Sequence, residues 1–365
     1  MIKALPLQYT VSHPLALEAM KCEVWRGDVL ESVHTLHAAL VDEHGDLLAW
    51  AGDPYHTTTA RSSLKPFQLL PTLHFGGRER FSFTREDIAF MCASHNGEPQ
   101  HITHCEQLLR KIKAQISDLE CGVHAPYHQA SAMSLIKSGL DPNASHNNCS
   151  GKHCGMIALR HLLNSEDVSS YLRVDHPVQK AIFECVESLL GKKRSWRWGI
   201  DGCSLPTPEV SLTELATLFS QLAAGKSIYA PQYDESLELI FNAMSTSPNL
   251  VAGIDRFDTF FMQEASGHAV CKVGGEAIRG FALRDNTGRA FGISLKVEDG
   301  SMRALHPACL TFLERLNLIN RPKDLDRPFS ELVGLQRFWR GVELNCAGLE
   351  ATEIKVKFKE RSKTD

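Results

Sequence analysis

Apolar and polar positions along this chain change their period twice. Residues 32–41 alternate as a strand does, 42–46 read as a turn and 47–51 as a second strand, which predicts an N-terminal hairpin. Across residues 62–244 apolar positions recur every three or four residues, so helices are predicted there. Thr84 with Asp87 and Ser211 with Glu214 have capping-box spacing. After Thr259 the period returns to two. Residues 269–273, 278–283 and 291–297 are predicted strands, the last two joined by an Asn286-Thr287-Gly288 turn. Ile354, Val356 and Phe358 alternate with Lys355, Lys357 and Lys359, as in an edge strand with one wet, charged face.

Strands at both ends with helices between them imply an α+β protein. The N- and C-terminal strands, about 22–60 and 259–360, would share one antiparallel sheet, and about 61–258 would form a helical lobe of the same 1–365 domain. No repeat or low-complexity segment interrupts the chain, and the charged, Pro-bearing stretch 320–328 is the nearest thing to a linker. Chemistry is therefore sought where the helical insertion begins and where the strands resume.

Charge narrows the choice of partner. Lys+Arg 39 against Asp+Glu 43 leaves a net charge of -4, which offers no bulk attraction to a phosphate backbone or an anionic membrane surface. Nucleic acid is not expected as a partner. Polar residues break each apolar run before the ~20 residues a membrane helix needs. Lys3 is followed by an apolar stretch broken by Gln8, His13 and Glu18, without a small-residue cleavage site, so no export signal is expected. Eleven cysteines scattered from Cys22 to Cys346 read as reduced thiols of a cytoplasmic protein. Sequons at Asn143 and Asn148 are then inert.

The first chemical candidate is Arg61-Ser62-Ser63-Leu64-Lys65-Pro66, at the junction after the hairpin. Ser62 and Lys65 stand at i and i+3, one helix face, where the amine could take the hydroxyl proton. A lysine shielded from water beside another cation such as Arg61 can lose its proton near neutral pH. A capped helix start with a solvated lysine would give the same spelling. Two further pieces, Ser94-His95-Asn96 and Lys272-Val273-Gly274, complete the order Ser-x-x-Lys, Ser-x-Asn, Lys-x-Gly of serine acyl-transferring enzymes.

A second cluster runs Asn148-Cys149-Ser150-Gly151-Lys152-His153-Cys154, with Asp201-Gly202-Cys203 further on. Two thiols, a histidine and a lysine allow a zinc reading, but the spacing matches no known finger, and buried thiols are the simpler account of it. His101 and His104 read as an ordinary exposed pair on a helix face. Gly225-Lys226-Ser227 lacks the first glycine of a phosphate loop, which leaves Gly225 as a helix C-cap. The basic run Lys192, Lys193, Arg194 and Arg197, with Trp196 and Trp198 interleaved, reads as a solvated loop.

Taken in order, Arg61-Ser62-x-x-Lys65-Pro66, Met91-Cys92-Ala93-Ser94-His95, Asn148 to His153, Asp201-Gly202-Cys203-x-Leu205-Pro206-Thr207-Pro208 and Lys296-Val297-Glu298-Asp299-Gly300 resemble the L-asparaginase II family of rhizobial type. The resemblance runs from about Cys22 to Leu318. It implies a fold like serine β-lactamases and glutaminases, hydrolysis of L-asparagine to L-aspartate and ammonia, and a homodimer. It implies paired dyads Ser62 with Lys65 and Ser94 with Lys272, zinc on Cys149, Lys152 and Cys203, and substrate contacts from Arg61, His153, Asp201 and Gly274. The family follows Lys-x-Gly with Ala, an acid and Gly, whereas Gly275, Glu276 and Ala277 stand here. Residues before Cys22 and 336–350 find no counterpart. The alternatives are a penicillin-recognising acyl hydrolase and a non-catalytic, zinc-stabilised amino-acid-binding protein.

Overall fold

The structure, a computed structural model, describes residues 14–164 and 170–359. Lys3, Gln8 and His13, which carry the expectation of no export signal, lie outside them. The chain divides into two compact units, one of Met1–Thr58, Val210–Ala224 and Phe260–Asp365, the other of Thr59–Glu209 and Gly225–Thr259.

The first unit is built on a sheet whose strands run Glu343–Leu344, Glu350–Lys357, Met20–Arg26, Val29–Asp42, Ala290–Val297, Ile278–Arg284 and Ala269–Gly274 from edge to edge, with Leu47–Ala51 paired to Val29–Asp42 and Leu15–Leu17 to Leu47–Ala51. Along the main path every pair is antiparallel. This is the predicted α+β arrangement, in which N- and C-terminal strands share one sheet. Alternation in Ala290–Val297 fails because both faces are covered. On one face lies the helix Leu212–Ala224, where Ala39 and Val41 meet Leu212 and Ala216 and Ser294 Oγ donates to Leu212 O at 2.6 Å. The approach is close enough that a Cβ on Gly292 would stand 1.8 Å from Ala216 O. On the other face Cys22 Sγ reaches Ala304 O, in the helix Met302–Arg315.

That helix Leu212–Ala224 was counted with the helical lobe by its period; its apolar face instead packs on the sheet, so it belongs to the first unit. The strand Glu350–Lys357 is not the outermost one, because Glu343–Leu344 pairs with it at Glu350 and Thr352. Its charged alternation survives, with Glu353, Lys355 and Lys357 exposed and Ile354 buried. A two-residue strand is too short to leave a period in the sequence.

The second unit holds most of the helices, including Lys65–His74, Arg85–Met91, Pro99–Lys111 and Ser150–Leu162. Thr84 and Asp87 form the predicted capping box, Thr84 N donating to Asp87 Oδ2 at 2.8 Å and Asp87 N to Thr84 Oγ1 at 3.2 Å. Within this stretch lies a hairpin the helical reading missed, Trp198–Ile200 paired with Pro206–Ser211. Prolines at 206 and 208 disguise the second strand, since proline ordinarily demotes a strand reading. His101 is fully buried, not exposed, because its ring bonds Asn249 O at 2.9 Å; His104 is half-buried on Asp87 at 3.1 Å. Among the described residues no helix is long and apolar enough to cross a membrane.

Candidate active site

Site residues gather in the second unit because three segments meet there. The first is a 3₁₀ turn, Arg61–Leu64, running into the helix Lys65–His74. Arg61 takes a left-handed φ of +48°, and the turn is pinned to the hairpin: Ala60 N donates to Pro208 O and Arg61 N to Thr207 Oγ1, both at 2.9 Å. Ser62 lies in this turn and Lys65 closes it, Lys65 N donating to Ser62 O before the α-helix begins. Lys65 Nζ instead donates to Ser94 Oγ at 2.9 Å, to Ala93 O and, at 3.4 Å, to Asn148 O. Among the described residues Ser62 Oγ has no hydrogen-bond partner, and Ser62 is half-buried.

Lys65 is fully buried. Burial, foremost, pulls its amine below the usual lysine range, and the nearby Lys152 charge adds to this against the opposing pull of Cys149. Once it has lost its proton, an amine three residues from one serine and bonded to another can accept a hydroxyl proton.

The second segment is the start of the helix Ser150–Leu162, preceded by Asn147, Asn148 and Cys149. Asn147 Oδ1 accepts from Cys149 N at 2.9 Å, while its amide donates to Cys121 O at 2.8 Å. A Cβ on Gly151 would meet Phe90 O at 2.1 Å, so only glycine lets this helix come so near the end of Arg85–Met91. The third segment is the hairpin turn. Asp201 N donates to Leu205 O at 2.8 Å and Ser204 N to Asp201 O at 2.9 Å, with Ser204 at φ +70°.

The turn brings Cys203 Sγ within 2.9 Å of Lys152 Nζ, and Asp201 lies between two cations, 2.7 Å from Arg61 Nε and 4.0 Å from Lys152 Nζ. Burial would raise the Asp201 carboxyl, but Lys152 and Arg61 hold it below the ordinary value. Cys149 is held well below the usual thiol range by a hydrogen bond with Cys203 and by the Lys152 and Lys65 charges, against burial. The same bond and burial push Cys203 up. Burial alone would lower Lys152; Cys149, Cys203 and Asp201 together push it above the usual lysine range instead.

His153 is fully buried, its Nδ1 on the Tyr171 hydroxyl at 2.8 Å and its Nε2 without a partner among the described residues. Burial, foremost, with the Lys152 and Lys65 charges, lowers its pKa well below the usual value. Lys272 and Gly274 lie in the first unit, on the strand Ala269–Gly274, where buried Lys272 donates to Val273 O at 2.8 Å. The contributions of the Asn148 carbonyl and Tyr171 had no sequence signal, since a backbone oxygen carries none and Tyr171 stands in no motif.

The family model described as L-asparaginase II matches residues 22–342. This chain belongs to that family. The match passes beyond Leu318 to take in the helix Gln336–Arg340, which the motifs alone left without a counterpart. No curated protein matches the chain. Among solved structures, Mglu in its native form in the presence of 4.3 M NaCl aligns at 16% identity over 79% of this chain and 62% of its own, with a TM-score of 0.35. The chain thus spans less than two-thirds of Mglu's length. A representative class A β-lactamase from Bacteroides cellulosilyticus DSM 14838 aligns at 14% identity over 78% of this chain and 91% of its own, with a TM-score of 0.38. Likenesses this loose carry no argument about chemistry.

Proposed function

We propose that this L-asparaginase II family member hydrolyses the side-chain amide of L-asparagine to L-aspartate and ammonia through an acyl-enzyme on Ser62. The reading is supported above all by the buried Lys65 amine, lowered in pKa and bonded to Ser94 Oγ at 2.9 Å. Lys65 takes the Ser62 proton as the hydroxyl attacks the amide carbon, and backbone N–H groups of the turn, that of Ser62 among them, receive the oxyanion. Ser94 passes a proton to the departing nitrogen, since an amide anion does not leave unprotonated. Water then attacks the Ser62 ester and frees aspartate. Lys272 is assigned to that proton delivery by the family resemblance alone, and Gly274 to substrate contact on the same ground. Arg61 and Asp201 orient the substrate's charged groups; His153, fully buried, supports the wall behind them.

Cys149, Lys152 and Cys203 are proposed to hold one zinc ion. Among the described residues no three His, Cys, Asp or Glu side chains cluster as a metal site. The donor set nonetheless fits zinc: two thiols in hydrogen-bond contact lie with an amine 2.9 Å from one of them, and soft thiolate donors favour this metal. Bound there, zinc would supply fixed positive charge next to Asp201. We also propose a homodimer, on the family resemblance alone, and a cytoplasmic location, which the eleven free thiols fit.

Ammonia release from L-asparagine, L-glutamine and a panel of other amides, beside turnover of a chromogenic β-lactam, tests the reading. Ammonia from L-asparagine with the β-lactam untouched supports it; β-lactam turnover alone makes the chain a penicillin-recognising hydrolase, and binding of asparagine without turnover makes it a binding protein.

A further inference from the structure

The loop bearing Ser94 is fastened to a segment far along the chain. Ser94 N donates to Val251 O at 2.9 Å. Both atoms of the Asn96 carboxamide are engaged, Nδ2 donating to Ile254 O at 3.0 Å and Oδ1 accepting from Arg256 Nη1 at 2.6 Å. Glu98 Oε1 accepts from Ile254 N at 2.7 Å, and the His101 ring bonds Asn249 O at 2.9 Å. Thr259 Oγ1 donates to Gly253 O at 2.5 Å, holding the segment from behind. The fit leaves no room for a side chain. Gly253 sits at φ +110°, and a Cβ there would lie 2.4 Å from Glu98 Oε1 and 2.8 Å from Asn96 Nδ2.

Asn96 occupies the third position of Ser-x-Asn, where an exposed amide would be read as a substrate contact. Here it is buried and spent on the 254–256 segment. On its other side the same loop is held by Lys65, through Ala93 O and Ser94 Oγ. Resting on the proposed amide hydrolysis, we propose that Asn96 and Arg256 are a positioning pair that keeps the Ser94 hydroxyl in reach of Lys65 Nζ. The charge-assisted Arg256 bond fixes the Asn96 amide. That amide orients Ile254 and its neighbours, and Val251 O in turn holds Ser94 N. Neither residue touches substrate. A reacting group displaced by about 1 Å loses about 10²-fold in rate, so this distant arginine is felt in turnover.

The test compares full-length wild type with Arg256→Ala, Arg256→Lys and Asn96→Ala, measuring kcat and KM for L-asparagine together with hydrogen exchange in peptides covering 92–98 and 249–257. Arg256→Ala and Asn96→Ala are expected to lower kcat about 10²-fold with KM within about threefold. Arg256→Lys, which can still donate to Asn96 Oδ1, is expected to recover most of kcat. Both peptides should exchange faster together in the alanine variants while the rest of the chain keeps its protection. If Arg256→Ala does not fold, Arg256→Gln carries the same comparison. Unchanged kcat, or a KM that rises with kcat intact, overturns the proposal, the latter placing Arg256 on the substrate. Should wild type release no ammonia from any amide, the proposed function falls, and exchange alone decides the pair: coupled loss of protection supports it, unchanged protection at 92–98 overturns it.

Discussion

Lys65 Nζ bonds Ser94 Oγ, 29 residues away, and not Ser62, three residues before it. One amine thus serves a site with two serines, one of them held and the other without a partner among the described residues. In this arrangement Ser94 fixes the amine while Ser62 stays free to move onto substrate, which fits a relay in which Lys65 draws a proton from one hydroxyl and returns it through the other.

The pH profile follows from that amine. Burial lowers the Lys65 pKa from its ordinary 10.5, and the base form is the neutral one, so kcat is expected to climb with pH through an apparent pKa below that of a free lysine. The climb belongs jointly to the lysines that exchange the proton. Steady-state rates from mildly acid to alkaline pH, with folding checked by circular dichroism, give the answer; a flat profile contradicts a lysine base.

Cys203→Ser removes the thiol that sits on Lys152. Zinc content by elemental analysis is expected to fall, and metal affinity to drop by about tenfold or more. KM for L-asparagine should rise more than kcat falls, because the proposed nucleophile lies on another segment. Wild-type protein purified without chelator that neither carries nor takes up zinc would return these cysteines to buried thiols.

Glu276 and Ala277 follow Lys272-Val273-Gly274-Gly275 with left-handed φ values of +59° and +52°. The family's glycine would adopt that conformation without strain, whereas alanine pays roughly 1 kcal/mol for it. Ala277→Gly is therefore expected to stabilise the fold by a few tenths to about 1 kcal/mol, once the looser unfolded chain is counted. A urea midpoint that moves down contradicts this.

Asp87 is buried and its carboxyl is lowered from 3.8 to about 2: burial would raise it, but His104, Lys111 and the Thr84 backbone hold it ionised. A carboxylate with a depressed folded pKa contributes stability that is complete above the unfolded value and lost as pH falls through about 2. Asp87→Asn is expected to cost about 2 kcal/mol at neutral pH, and the gap to wild type should close near pH 2 in urea melts at each pH.

The sequence showed what depends on regular period and local chemistry. The N-terminal hairpin, the three strands after Thr259 and both capping boxes lie where alternation and cap spacing put them. It hid what depends on partners. The helix Leu212–Ala224 has the same period whichever unit it serves, and only its contact with Ala39 and Val41 assigns it to the sheet. The hairpin around Asp201 was masked by its prolines and by strands as short as three residues. At the site the residue types were legible but not the bond from Lys65 Nζ to Ser94 Oγ, because it joins residues 29 positions apart. The tie from Arg256 to Asn96 spans 160 positions, beyond the reach of any local rule.

The most direct measurement is ammonia release from L-asparagine by wild type and Ser62→Ala, assayed side by side on folded protein. Wild type is expected to release ammonia and aspartate in equal amounts, and Ser62→Ala to lose about 10⁴-fold or more in kcat with its fold intact. No ammonia from wild type, or near-normal release by Ser62→Ala, would contradict an amidohydrolase that works through Ser62.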